Sequence, residues 1–185
     1  LRGRVAKLES PFDHYSMPAF DEGRLPKAES GGTIMSNKFI VPAGCVLLSK
    51  LNPRIPRVWM PDTDRHRRAL CSTEFLVSLP QDGVSREFLF LLFTSIEFCE
   101  RFTTYVTGTS GSHQRVKPES LLNIEVVVPP EGLIEAFTNV TRPLLSAINA
   151  SIGQCCGLAE IRDALLPRLL SGELQVDGVK TEGVL

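Results

Sequence analysis

The segment from Glu131 to Leu170 most constrains what this chain can fold into, because it repeats apolar residues at helical spacing and shows no strand pattern. As a single helix it would reach roughly 60 Å, more than a compact domain of this size needs. Its apolar positions alternate three and four residues apart, with a weak middle at Ser151 and Gln154, which is typical of a coiled-coil arm. Such an arm needs a partner helix. The predicted helix-pairing interface comprises Phe137, Val140, Leu144, Ile148, Leu158, Ile161, Leu165 and Leu169.

The arm also contains residues that interrupt or end helices. Pro143 predicts a kink, or a break after a short first helix, because proline lacks the amide donor that the helix uses. Gly153 and Gly157 each cost about 1 kcal/mol relative to alanine inside a helix. Gly172 is placed to cap the carboxyl end, and we expect the residues after it to be frayed.

The residues before the arm mix strand and helix patterns without regular alternation. Apolar runs predict strands at "CVLLSK", "VWM", "TEFLVSL" and "NIEVVVPP", and a further strand near Val5–Leu8 before a long irregular segment. Ser85 is placed to cap one helix through "SREFLFLLFTSIEFCERF", and Pro118 to begin a single helical turn. We therefore predict an α+β fold, with a globular domain at residues 1–130, a helical arm at 131–173 and a flexible tail at 174–185.

Composition argues against several classes of site. The five cysteines include no C-x-x-C pair, and His14, His66 and His113 share no ligand spacing, so neither a disulfide framework nor a metal site is predicted. The longest apolar run, around "EFLFLLF", is too short to span a bilayer, and no secretory signal pattern opens the chain. We expect a cytoplasmic protein that does not bind a membrane.

Two segments are strongly basic, although the formal net charge of the chain is −1. Residues 50–68 carry six Lys or Arg against two Asp, and residues 101–117 carry three against no acid. In the first segment two prolines stiffen the turn that presents Arg54 and Arg57. The second contains "VTGTSGSHQRV", in which glycines and hydroxyl side chains lead to a basic end. Local charge of this kind sets the local field whatever the average is.

The second segment does not fit the common catalytic or phosphate-binding loops. A P-loop needs a Lys after its second glycine, where this sequence has Ser112 and His113. A serine nucleophile needs a base that faces it, and these two neighbours in sequence do not face each other easily. The acids of "PDTD" lack the following acid-x-Lys pattern of a metal-dependent nuclease. An enzyme would still be possible if Ser112 or His113 carried activity, so that alternative stays open.

The two segments do offer hydrogen-bond donors for nucleic acid. Amides flanked by glycines approach phosphates closely, while glutamine and arginine pair well with adenine and guanine edges. Two basic loops without catalytic clusters favour DNA over a small substrate. The predicted DNA-binding residues are Lys50, Asn52, Arg54, Arg57, Arg67, Arg68, Gly108, Thr109, Ser110, Gly111, Ser112, His113, Gln114, Arg115 and Lys117.

Five motifs in order carry a family resemblance: "YSMPAFDEGRLP", "SNKFIVPAGCVLLSKLNPRIPRVWMP", "STEFLV", "VTGTSGSHQRVKPESLLNIEVVVPP" and "LAEIRDALLPRLLSGELQV". Across residues 1 to about 176, the chain resembles one target-recognition domain and the following conserved helix of the DNA-specificity (S) subunit of type I restriction-modification systems. Each motif alone is weak, and their order makes the resemblance specific.

The resemblance implies a non-catalytic subunit that reads one half of a split DNA target, with helices that pair as an antiparallel coiled coil and fix the gap between the halves. It implies modification (methyltransferase) subunits and a restriction subunit as partners. S-adenosylmethionine, ATP and Mg are then expected on those partners, and no cofactor on this chain.

An S subunit of this family has two recognition domains and two helical regions, whereas this sequence carries one of each and begins at Leu1. We therefore expect a fragment or a natural half-subunit, completed by the missing second half or by a second copy of the chain. The alternative is a coiled-coil assembly module without DNA readout of its own.

Overall fold

The structure, a computed structural model, describes residues 11–31, 36–62, 68–81, 83–108 and 114–175. By its internal contacts the chain divides into two compact units, Leu1–Ser146 and Ala147–Leu185. The strand predicted near Val5–Leu8 lies outside the described residues, as do residues 176–185 of the predicted tail.

The described part of the first unit contains a four-stranded, a three-stranded and a two-stranded sheet, together with helices. The strands are β1 (Pro11–Tyr15), β2 (Lys27–Ser30), β3 (Lys38–Ile40), β4 (Val46–Ser49), β5 (Val58–Trp59), β6 (Ala69–Ser72), β7 (Phe75–Ser78), β8 (Val106–Thr107) and β9 (Arg115–Val116). The helices are α1 (Met17–Gly23), α2 (Arg86–Thr94), α3 (Ile96–Thr104), α4 (Pro118–Leu121) and α5 (Glu131–Leu170), the last of which continues into the second unit.

The three-stranded sheet, in the order β5-β4-β7, is buried on both faces. Leu47 points into a core shared with the four-stranded sheet, which has the order β2-β1-β6-β3, while Val46 and Leu48 point into a second core against α2 and α3. This alternation explains why "CVLLSK" reads as a continuous apolar run, because successive side chains of a strand face opposite sides. The strands predicted at "CVLLSK", "VWM" and "TEFLVSL" are confirmed as β4, β5 and β7.

The irregular segment predicted for the first forty residues is wrong over its described part, where β1, α1, β2 and β3 form. Ser16 caps α1 by accepting a hydrogen bond from the Ala19 amide at 3.3 Å, and Pro18 stands in the first turn, where its missing amide costs little. Pro18 and Gly23, which suggested an irregular chain, therefore begin and end a short helix.

The single helix predicted across residues 85–102 is instead two helices, α2 and α3, separated at Ser95. Ser95 has extended backbone, with ψ of 148°, and its hydroxyl accepts a hydrogen bond from the Phe98 amide at 3.3 Å. The apolar residues on both sides of Ser95 keep the same helical spacing, so the sequence pattern alone suggests one continuous helix.

The strand predicted at "NIEVVVPP" is also wrong, since residues 124–130 have no regular structure. Arg101 of α3 and Tyr105, which follows α3, bind two carbonyls within or just before this segment. Arg101 Nη1 donates to the carbonyl of Glu125 at 2.7 Å, and the Tyr105 hydroxyl donates to that of Asn123 at 3.4 Å. The side chains of Val126, Val127 and Val128 are exposed.

Helix α4 and the long α5 form where the sequence predicted them, and Pro143 does not break α5. Within the first unit, α5 buries Ile134, Thr138 and Leu145. At the other end, Gly172 adopts φ of 74° and its amide donates to the Leu169 carbonyl at 3.2 Å, so the predicted cap is confirmed. The predicted boundaries at 130 and 173 remain predictions.

Candidate nucleic-acid interface

The first predicted basic loop, Lys50–Arg57, follows β4 and is held by its backbone. The Lys50 amide donates to the Glu74 carbonyl at 3.0 Å. The Ile55 amide donates to the Asn52 carbonyl at 2.9 Å, which closes a tight turn, and Asn52 takes the left-handed conformation with φ of 47°. Arg54 is exposed at this turn. The stiff backbone predicted from the two prolines is therefore accompanied by hydrogen bonds that sequence alone does not specify.

The second predicted loop joins β8 and β9. These strands pair antiparallel, with Thr107 opposite Arg115, and the Thr107 hydroxyl donates to the Arg115 carbonyl at 3.0 Å. Gly108 has φ of 112°, a conformation that requires glycine. Lys117 is exposed just before α4. Five predicted residues of this loop lie outside the described part of the chain, namely Thr109, Ser110, Gly111, Ser112 and His113.

The fold brings the two loops together. The Asn52 amide donates to the Gln114 carbonyl at 2.9 Å, and the Val116 amide donates to the Lys50 carbonyl at 3.0 Å. An isolated β-bridge also pairs Leu51 with Arg115. Cationic residues more than 50 positions apart in sequence, such as Arg54 and Arg115, therefore belong to one hydrogen-bonded surface, which we call the two-loop surface. It comprises residues 50–57, 106–108 and 114–117.

Two arginines of the two-loop surface bind carboxylates side-on. Arg57 donates from Nε and Nη2 to the two carboxylate oxygens of Asp21 at 2.7 and 2.8 Å. Arg115 donates from the same two nitrogens to Glu74 at 3.0 and 3.2 Å. The hydrogen bond from Arg57 holds the pKa of Asp21 below its ordinary value, and the hydrogen bond to Glu74 raises that of Arg115.

The two ion pairs differ in exposure. The Arg57 side chain is 11% exposed, whereas that of Arg115 is 45% exposed. Sequence reasoning missed both carboxylates, because Asp21 and Glu74 lie 36 and 41 residues from their partners. No local spacing signals such a pair.

The remaining predicted cations lie elsewhere or outside the described residues. Arg68 is exposed beside β6, on the four-stranded sheet, and its carbonyl accepts from the Asp13 amide at 3.0 Å. Arg67 lies outside the described residues. The DNA contacts assigned to these side chains stay predictions.

Two of the five cysteines are buried in the core of the first unit. Burial raises the pKa of the Cys45 thiol to about 11 and that of Cys71 to about 12, so both remain protonated at neutral pH. His14 lies 3.0 Å from a carboxylate oxygen of Glu29. Among the residues that the structure describes, no three His, Cys, Asp or Glu side chains form a group that could hold a metal ion.

The predicted helix-pairing residues lie exposed on α5. In the first unit, Val140 and Leu144 are 65% and 59% exposed, while Phe137 is 39% exposed and packs edge-on against Phe88 at a centroid distance of 6.2 Å. Phe137 is thus partly used within the unit, which the pattern did not indicate. The exposed members in the second unit are Ile148, Leu158, Ile161, Leu165 and Leu169.

By length and composition, α5 is also apolar enough to cross a membrane. Its most apolar stretch has a mean hydropathy of 1.2, and 6% of that stretch is buried. The run around "EFLFLLF" is too short to span a bilayer, but the expectation overlooked α5, which is long enough and apolar enough by this measure. Length and composition alone distinguish poorly between a membrane span and a helix that pairs with another protein helix.

Comparison with known proteins relates this chain to restriction systems. No protein-family model matches it. It is 33% identical over 72 residues to the Type I restriction enzyme MjaIX specificity subunit of Methanocaldococcus jannaschii, a match that covers 39% of this chain and 16% of that subunit. The HsdS subunit from Thermoanaerobacter tengcongensis matches 98% of this chain with a TM-score of 0.62 and 20% identity. The chain has the fold of a type I specificity subunit.

A second solved structure, which concerns complex assembly and conformational transition of the type I R-M system, matches the same share with a TM-score of 0.64 and 21% identity. The resemblance to type I specificity subunits and the α+β fold class are thereby confirmed. The chain covers 48% of each of these two solved chains, so it spans about half the length of either. The pairing of α5 as a coiled coil is consistent with this fold and stays a prediction.

Proposed function

We propose that this chain is a DNA sequence-recognition subunit, or half-subunit, of a type I restriction-modification system and is not itself an enzyme. The two-loop surface carries the proposal. Hydrogen bonds hold both basic loops together, which presents Arg54, Arg115 and Lys117 on one hydrogen-bonded surface. Exposed cations on loops held by backbone hydrogen bonds suit phosphate contacts and the reading of base edges. The likeness to specificity subunits supports the same assignment.

The wider role follows from the family. The chain reads one half of a bipartite target in double-stranded DNA and scaffolds modification and restriction subunits, which hold S-adenosylmethionine, ATP and Mg. A second half of the subunit, or a second copy of this chain, completes it by pairing with α5. We place the system in the cytoplasm. Two observations support this wider role: the chain covers half of each solved relative, and the apolar residues of α5 are exposed.

Substitution in the assembled methyltransferase tests the role of the two-loop surface. Because Arg54 is exposed and cationic, Arg54→Ala should weaken binding to the cognate duplex, by about 1 to 3 kcal/mol if it makes a bidentate base contact. Lys27→Ala removes one cation from β2 of the four-stranded sheet and serves as a control. Affinity measured at several salt concentrations should fall steeply for the wild type. Equal losses from the two substitutions, or a flat salt dependence, would count against this surface.

An assembly module without DNA readout is the second candidate, and the exposed apolar residues of α5 favour it. Exchanging residues 1–130 for the equivalent part of another specificity subunit separates the two functions. If this chain reads DNA, the methylated sequence changes with the exchanged part. If the chain only assembles partners, methylation keeps its original target.

A further inference from the structure

The ion pair between Arg115 and Glu74 places a negative charge on a surface that would approach DNA. A carboxylate there repels phosphates, and a neutralised arginine attracts them less than a free one. A surface built only to hold the phosphate backbone would be weakened by Glu74. The ion pair therefore indicates that Arg115 has a role other than binding phosphate.

The geometry of the pair leaves one edge of the guanidinium available. Glu74 occupies Nε–H and one Nη2–H of Arg115. The outer edge still has one Nη1–H and one Nη2–H that are parallel to each other. That edge can donate two parallel hydrogen bonds, which is the contact that arginine makes to O6 and N7 of guanine in the major groove. With 45% of its side chain exposed, Arg115 remains accessible to a ligand.

The surroundings fix Glu74 as well as Arg115. The Glu74 amide donates to the Ser72 hydroxyl at 3.2 Å, and its carbonyl accepts from the Lys50 amide at 3.0 Å. Arg115 in turn lies in β9 and bridges to Leu51. Glu74 thus connects the turn before β7 with both basic loops, through the Lys50 amide and the Arg115 side chain. A guanidinium held in this way loses less rotamer freedom when it binds a base.

The second side-on pair lacks the exposure that such a role needs. Asp21 binds Arg57 with the same two nitrogens, but the Arg57 side chain is only 11% exposed. That pair joins α1 to the first loop. The contrast assigns base reading to the Arg115 pair and a structural role to the Arg57 pair.

We propose that Glu74 is a positioning residue that holds Arg115 side-on, so that Arg115 reads a guanine in the major groove of the target. This rests on the proposed DNA-recognition function.

Glu74→Gln should raise the affinity for random duplex DNA and lower the preference for guanine in the target. The substitution removes one negative charge and leaves Arg115 one acceptor oxygen instead of two, so Arg115 is held less firmly. Binding to random duplex DNA should therefore strengthen, and its salt dependence should steepen by about 0.9 in log–log slope. Preference for guanine at one target position should fall by about 5-fold or more, because a disordered arginine no longer favours one bidentate partner. A merely structural loss would weaken both kinds of binding together.

Two further variants complete the design. Arg115→Lys keeps the charge but loses the planar fork, so guanine preference should fall while the salt slope stays unchanged. Glu22→Gln removes the same charge from an exposed acid that pairs with Lys27 at 2.6 Å, so it controls for the loss of one charge and the release of one paired cation elsewhere in the chain. It should leave guanine preference intact.

The measurement is selection from a random duplex library by the assembled methyltransferase, followed by titration of single-base variants of the selected target. If the wild type selects no sequence, the proposed function itself fails. If the wild type selects a target and Glu74→Gln or Arg115→Lys keeps the same preference at every position, only the role of the Arg115 pair is overturned.

Discussion

Asn52 stands where the first basic loop turns, and its backbone is in the left-handed region with φ of 47°. Asparagine tolerates this region better than alanine does, and glycine better still. We expect Asn52→Ala to lower the free energy of unfolding by about 1 kcal/mol more than Asn52→Gly. Both variants remove the same amide side chain, so their difference in chemical denaturation isolates the backbone. Equal stabilities would show that the turn relaxes without cost.

The Asp21–Arg57 pair should make stability depend on pH in acid. Because the pKa of Asp21 is lower in the folded chain than its ordinary 3.8, the contribution of the pair is complete above that value and is lost as pH falls through the folded pKa. The Asp21 side chain is half exposed, so we expect about 1 kcal/mol or less. Denaturation of wild type and Asp21→Asn should differ near pH 7 and converge below pH 3.8. A constant difference would rule out this linkage.

At the level of elements, the apolar stripe of residues 85–102 is divided at Ser95 into the helices α2 and α3. Its hydroxyl accepts from the Phe98 amide, so Ser95→Ala should destabilise the chain by about 1 kcal/mol through loss of the α3 cap. Thr94→Ala is the matched control, since its exposed hydroxyl donates only to the Leu91 carbonyl. Thermal melts of the two variants make the comparison. A loss from Thr94→Ala as large as that from Ser95→Ala would contradict the capping role.

Helix α5 is tied to α2 within the first unit by Arg142, which donates to a carboxylate oxygen of Glu87 at 2.6 Å. Burial raises the pKa of Glu87, but hydrogen bonds and the charges of Arg142 and Arg86 outweigh it and hold the pKa below 4.5. Arg142→Ala leaves a buried carboxylate without this partner and should cost about 1 to 3 kcal/mol at pH 7. Adding Glu87→Gln should recover part of the loss in denaturant titrations. No recovery would mean that packing, not charge, holds the contact.

These elements also show which features a sequence pattern can predict. Strands β4, β5 and β7, the cap at Ser85 and the end of α5 at Gly172 each carry a signal in a short stretch of sequence, and local patterns located them. The segment at Val126–Val128 has a strand composition, but it has no partner strand among the described residues. Likewise the two basic loops were predicted separately, and only the fold shows that Asn52 and Gln114 meet.

For the whole molecule, the exposed apolar residues of α5 dominate the expected behaviour in solution. Leu144 in the first unit and Leu158 in the second are 59% and 66% exposed. Burying such a side chain is worth about 1.5 to 3 kcal/mol, so a chain without a partner gains by associating. The uncharged stretch between Arg142 and Glu160 offers no like charges to oppose this.

We therefore predict that the purified chain self-associates with a concentration dependence that Leu158→Glu removes or weakens by at least tenfold in dissociation constant. A loss of about 1.4 kcal/mol produces that factor, and burying leucine exceeds it. Ser146→Glu adds the same charge at an exposed polar position of α5 and should leave association unchanged. Analytical ultracentrifugation over a range of concentrations measures both. If the wild type remains monomeric, α5 does not pair with a helix of a second copy. If the wild type instead floats with lipid vesicles and Leu158→Glu does not, the exposed residues of α5 bind a membrane.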